Sequence, residues 1–148
     1  MAGTATTAGS AFLGGHLAYR RGVGVNTTAF QSGPQEWHEV TLDRAPGAGE
    51  VVRGVANGAV LAVARDRNDR LYVMETRCTH RGGPLHEGEL HDGCVVCPWH
   101  TSEFDLRTGA VRRSPATVHQ PVYECRIEGG RLEARRDEAG GLRSNIDN

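Results

Sequence analysis

The sequence predicts an all-β fold, and three observations lead there. Apolar residues come in short runs, such as Val51–Val55 and Val60–Arg65, too brief for helices that must bury a stripe. Gly-containing or polar turns separate these runs, and the chain holds 20 Gly. At 148 residues and 38% hydrophobic content, the chain has material for one domain with a modest core.

The elements follow in order. Gln31-Ser32-Gly33-Pro34 reads as a linker, because Gly and Pro punctuate regular structure. Trp37–Leu42 is the first expected strand, followed by Val51–Val55, Val60–Arg65 and Leu71–Glu75. The polar turn Asp66-Arg67-Asn68-Asp69 joins the last two into a hairpin. A Val-rich strand carries Cys94, and further strands are expected at Glu103–Asp105, Ala110–Arg112, Val122–Ile127 and Arg131–Ala134. Gly129-Gly130 turns the last pair. The expected organisation is an N-terminal segment over 1–35, one folded domain over 36–136, and a disordered tail over 137–148, where apolar residues are few.

Charge narrows the classes of partner. All 17 basic residues are Arg and the net charge is −1. No basic cluster interleaves with aromatics, so nucleic acid is not an expected partner. No run of 18 apolar residues exists, so no membrane-spanning helix is expected. Residues 1–35 fit neither secretory pattern: the apolar stretch Ala8–Tyr19 is broken by Gly14, Gly15 and His16, and Arg20-Arg21 follows it rather than precedes it. A flexible or weakly helical tail is one reading of this segment.

The chemistry lies in two Cys/His pairs, Cys78-Thr79-His80 and Cys97-Pro98-Trp99-His100, separated by the Gly- and Pro-containing residues 81–96. Together they offer two thiolates and two imidazoles. Tetrahedral iron accepts both donor types, and two sulfide-bridged irons need four protein donors. A mononuclear zinc site built from the same four residues is the main alternative. Zinc on Cys78, Cys94, Cys97 and Cys125 is weaker, because only Cys94 and Cys97 have knuckle spacing. Disulfides are weaker still, since a chain of this length buries a core without staples. Cys94 and Cys125 read as packing residues. His16, His38 and His119 lack donor spacing and read as surface or packing residues.

The segments Cys78-Thr79-His80-Arg81-Gly82-Gly83-Pro84-Leu85 and Gly93–Asp105, with Thr108-Gly109 and Ser114-Pro115-Ala116 after them, resemble the cluster loops, turn and proline loop of the Rieske family over roughly residues 36–136. That resemblance implies an antiparallel β-sandwich with a small cluster-binding subdomain formed by two loops. It implies a [2Fe-2S] cluster held by Cys78, His80, Cys97 and His100, one iron taking both thiolates and the other both imidazoles. Two ferric ions, two sulfides and two thiolates sum to zero charge, so the electron is added to a neutral centre and the potential lies above that of an all-Cys cluster. Ser102 is implied as a hydroxyl donor toward the cluster, and Pro115 as part of its cover. Trp99 either shields the cluster or faces a partner. High-potential members of the family carry an extra Cys in each loop and a Tyr donor. Here Trp99 and the Gly82-Gly83-Pro84 run replace those Cys, and Phe104 replaces the Tyr, which implies a lower potential like that of soluble Rieske-type ferredoxins.

The resemblance points to a one-electron carrier between a reductase and an oxygenase, located in the cytoplasm. An oxygenase in its own right needs a second iron site, and residues 101–148 hold a single His, His119. An accessory subunit of a larger oxidoreductase is a further reading. Membrane association is another, because residues 1–35 resemble the end of a small membrane domain that precedes the Rieske domain in some bacterial proteins. Glu87, Glu89 and Asp92, beside His86 and His91, read first as a solvated loop, with an acidic docking rim for a redox partner as the other reading.

Overall fold

The computed structural model describes residues 3–17, 26–28 and 33–136. Among the described residues an N-terminal helix, α1 (Gly3–Gly15), precedes eleven strands: β1 (His38–Glu39), β2 (Thr41–Leu42), β3 (Glu50–Ala56), β4 (Ala59–Arg65), β5 (Leu71–Glu75), β6 (Glu89–His91), β7 (Cys94–Val96), β8 (Glu103–Asp105), β9 (Val111–Arg113), β10 (Val122–Glu128) and β11 (Arg131–Arg136). The tail expected over 137–148 lies outside the described residues. Among the described residues, no helix is long and apolar enough to cross a membrane.

All strand pairings are antiparallel, in a seven-stranded sheet ordered β1-β11-β10-β5-β4-β3-β2 and a four-stranded sheet ordered β6-β7-β8-β9. The expected first strand is split at Val40, and the split has a purpose. Residues before Val40 pair with β11, residues after it pair with β3, and the Val40 N–H donates to the Leu132 carbonyl at 2.7 Å. One short segment therefore joins both edges of the large sheet and curls it into a near-barrel, which removes its open edges. Gly54 makes the approach possible: a Cβ there would stand 2.7 Å from Val40 Cγ1 and 3.2 Å from Leu42 Cδ2.

Strand β4 explains why the core divides in two. Leu61 and Val63 point into the barrel with Val40, Val52, Val73, Tyr123 and Leu132. Ala62 and Ala64, on the opposite face, pack with Met74, Leu85, Val95, Phe104 and Leu106 beneath the small sheet. Side chains alternate faces along a strand, so a strand buried on both sides reads as a continuous apolar run. Each Val or Leu so buried contributes about 1.5–3 kcal/mol of transfer free energy. Cys78 and Cys97 belong to the second cluster, so the barrel and the small sheet are cemented by the same apolar contacts that hold the two thiols.

Strand β6 is the element that the sequence pattern does not reveal. Only Leu90 packs inward, while Glu89 and His91 face solvent, and three residues are too few to register an alternation.

Candidate metal centre

Two loops carry the motifs, 78–83 following β5 of the large sheet and 97–102 following β7 of the small sheet. They are built alike. In the first, the Cys78 N–H donates to the Gly83 carbonyl at 2.9 Å and the Gly82 N–H returns to the Cys78 carbonyl at 2.8 Å. In the second, the Cys97 N–H donates to the Ser102 carbonyl at 2.8 Å and the Thr101 N–H returns to the Cys97 carbonyl at 3.0 Å. Each loop thus wraps its own Cys, and its His rides on the turn. The residue closing each turn is left-handed: Gly82 has φ 76° and Thr101 has φ 58°. Glycine adopts this region freely, whereas a β-branched residue is strained there. Thr101→Gly is therefore expected to raise the stability of the metal-free protein by about 0.5–1 kcal/mol, the relieved strain being partly offset by glycine's chain entropy. Chemical denaturation measures it.

The loops bring the four candidate residues together as two pairs. Cys78 and Cys97 are both 1% exposed, and each thiol is the largest influence on the other's acidity. The neighbouring Cys78 thiol is the main cause holding Cys97 down at about 6, with the N–H groups of Trp99 and His100 assisting against burial. The Cys97 thiol, with burial, pushes Cys78 up. His80 and His100 meet edge to face, ring centroids 4.9 Å apart at 86°. His80 is half-buried and His100 exposed. Burial, then the neighbouring His100 and Arg81, lowers the His80 pKa, which leaves its ring neutral with a lone pair to give.

His80 Nδ1 is buried and has no hydrogen-bond partner. A buried polar atom without a partner is costly and needs an explanation. A metal bond at that nitrogen supplies one. Gly83 adds a second mark of fit: a Cβ there would stand 2.8 Å from Cys97 Sγ and 3.1 Å from the Trp99 ring, so the loop backbone closes over the sulfur at van der Waals range. Among the described residues, no three His, Cys, Asp or Glu converge on a single point able to hold one ion. Thiols facing thiols and imidazole facing imidazole suit a two-metal group rather than one zinc.

The surroundings depart from the sequence reading in several places. Ser102 is fully buried, and its hydroxyl oxygen accepts the Ala116 N–H at 3.0 Å, which leaves the hydroxyl proton available for another acceptor. Ala116 is the residue of the proline loop that packs into the core, while Pro115 is exposed. Trp99 is 58% exposed and meets His100 edge to face at 6.4 Å. Asp92 lies at the β6–β7 turn, at the opposite end of β7 from Cys97, whereas Glu89 pairs with Val96 beside the second loop. The acidic residues therefore do not form one rim around the loops. Cys94 is buried, and Cys125 is half-buried with its thiol on the Leu71 carbonyl at 3.4 Å.

Gln120 is the functional residue that sequence reasoning missed. Its side chain is buried and joins three points of the segment that runs from the end of β5 into the first loop: the carbonyl oxygen accepts the Thr79 N–H at 3.1 Å, and the amide donates to the Glu75 and Arg77 carbonyls at 2.7 and 2.8 Å. Thr79 is tied further, its hydroxyl donating to the Val118 carbonyl at 2.8 Å. Nothing in His119-Gln120-Pro121 distinguishes that Gln from a surface residue.

Beneath this network sits Glu75, 3% exposed, accepting the Arg77 N–H at 3.3 Å with the Tyr123 hydroxyl 3.5 Å away. Burial raises the Glu75 pKa, and burial followed by the Glu75 charge pushes Tyr123 up to about 12. A carboxyl whose folded pKa is raised favours folding when protonated, so its contribution is present at acid pH and is lost as pH rises through the folded value. Glu75→Gln is accordingly expected to be more stable than wild type at pH 7–8, with the gap closing at pH 4. Paired urea titrations at the two pH values check this.

Comparison with known proteins agrees with the geometry. Residues 36–124 match the Rieske [2Fe-2S] domain. The anthranilate 1,2-dioxygenase ferredoxin subunit of Burkholderia cepacia is 38% identical over 98 residues, 66% of this chain and 90% of that protein. The ferredoxin of carbazole 1,9a-dioxygenase from Nocardioides aromaticivorans IC177 superposes with TM-score 0.60 and 25% identity, covering 72% of this chain and all of the other. A chain from the complex of reduced oxygenase and oxidized ferredoxin in carbazole 1,9a-dioxygenase superposes with TM-score 0.60 and 30% identity, covering 70% of this chain and 97% of that one. The chain belongs to the Rieske [2Fe-2S] domain family.

Proposed function

We propose that this protein is a ferredoxin-like one-electron carrier between a reductase and an oxygenase, with Cys78, His80, Cys97 and His100 holding its [2Fe-2S] cluster. The carrying observation is the unpartnered, buried Nδ1 of His80 beside the paired thiols. When bound, the cluster supplies a reversible one-electron couple. The buried Cys pair faces the apolar core and would hold the inner iron, while the imidazoles at the open end would hold the outer one. Family members in oxygenase systems support the choice of partner, since the relatives named above are ferredoxin components of dioxygenases. Four free thiols suit the cytoplasm, where thiols stay reduced. As a carrier the chain performs no catalysis alone; the protein sets potential, access and partner choice.

The residues tune the centre in identifiable ways. His80 and His100 add no negative charge, which favours reduction. Ser102, whose hydroxyl proton is not used by the Ala116 contact, would donate it toward the cluster, whereas the buried Phe104 has none to give. One donor instead of two puts the potential in the lower part of the roughly −150 to +300 mV span of His-ligated centres. Trp99 and the exposed edge of His100 form the open surface through which an electron would leave.

Anaerobic reconstitution with iron and sulfide tests the proposal. Two irons and two sulfides per chain, one-electron reduction, and reoxidation by an oxygenase component are expected. Zinc uptake in preference to iron, or reduced protein that an oxygenase component does not reoxidise, contradicts it.

A further inference from the structure

Residues 26–28 lie against the first loop, although the family match starts only at residue 36. The Thr27 hydroxyl donates to the Cys78 carbonyl at 2.8 Å, and the Thr27 N–H donates to the Thr79 carbonyl at 3.3 Å. The segment is folded on itself as well. Asn26 Oδ1 accepts both the N–H and the hydroxyl of Thr28, at 2.9 and 2.8 Å, and Thr28 is buried. The Asn side chain thus fixes a turn, and the turn presents Thr27 to the loop. The Nocardioides ferredoxin is covered whole by 72% of this chain, so part of this chain lies beyond what that carrier contains.

We propose that Asn26–Thr28 is a clasp on the first loop and that Thr27 is its positioning residue, acting on the cluster through the Cys78 carbonyl; this rests on the reading of Cys78 and His80 as ligands. The Cys78 carbonyl already accepts the Gly82 N–H, so Thr27 gives it a second donor. Two consequences follow from that bond. The loop must break it to open, so the clasp slows escape of the cluster. The carbonyl oxygen also carries partial negative charge beside a centre that gains an electron, and a hydroxyl donor shares that charge, so the clasp favours the reduced state.

Thr27→Val keeps the shape and the backbone N–H but removes the hydroxyl, and Thr27→Ser restores the donor. Three readouts apply: cluster loss to a chelator, hydrogen exchange of the Gly82 amide in the metal-free protein, and the reduction potential. Val is expected to speed cluster loss and Gly82 exchange roughly fivefold, as one net hydrogen bond implies, and to lower the potential, with Ser close to wild type. Val indistinguishable from wild type in all three, or Ser failing like Val, overturns the clasp while leaving the ligand assignment standing. Wild-type protein that takes up no iron overturns the ligand assignment and the clasp with it.

Discussion

Gln120→Glu is expected to cost about 3 kcal/mol or more and to release the cluster. The substitution keeps the size of the side chain but exchanges an amide that donates twice for a carboxylate that cannot donate. The Glu75 and Arg77 carbonyls, 2.7 and 2.8 Å away, lose their donor and face a negative charge instead. Each buried group left unsatisfied costs about 1–3 kcal/mol. Only the Thr79 N–H keeps an acceptor. Because all three partners belong to the segment that carries Cys78 and His80, the damage should appear first as faster cluster loss and then as a lowered midpoint in chemical denaturation. Gln120→Asn is expected to be milder in charge yet still damaging, because the shorter side chain cannot span both carbonyls. A glutamate variant as stable as wild type would show that the first loop is held by its own turn alone.

His100→Cys is expected to lower the reduction potential by on the order of 100 mV or more while retaining iron. A thiolate in place of a neutral imidazole adds one negative charge to the oxidised centre, so the incoming electron meets an anion. His100 is the exposed member of the pair, so the replacement disturbs little packing. His80→Cys should act in the same direction but lose more cluster, since His80 sits half-buried in the loop that Gln120 organises. Voltammetry on both variants, with iron analysis alongside, measures the effect. An unchanged potential in an iron-loaded His100→Cys protein would show that His100 is not a ligand.

Much of this site was legible in the sequence because its chemistry is local. The proposed donors come in two short motifs, and the first loop's turn is written in Gly82, although the second turns on Thr101. Strands β3 to β5 were legible for a similar reason, since each is a run of five to seven residues with apolar positions on both faces. What escaped was non-local. Val40 closes the barrel by bonding Leu132, a contact that no strand pattern encodes. Gln120 and Thr27 reach the first loop from far along the chain, each with a residue type that is ordinary on a surface. The arrangement of the acidic residues was equally non-local, because place between the two motifs does not say which end of the small sheet a residue reaches. The β6–β7 hairpin carries Asp92 to the far end of the small sheet.

The paired thiols and paired imidazoles define the central claim, that the two His hold the same outer iron. Pulsed electron paramagnetic resonance on the reduced, iron-loaded protein tests it, comparing natural-abundance protein with protein labelled by 15N-histidine. Two distinct imidazole nitrogens coupled to the electron spin are expected, one of them Nδ1 of His80, both shifting with the label and each vanishing in its own His→Cys variant. Coupling to one histidine nitrogen or to none would contradict the account.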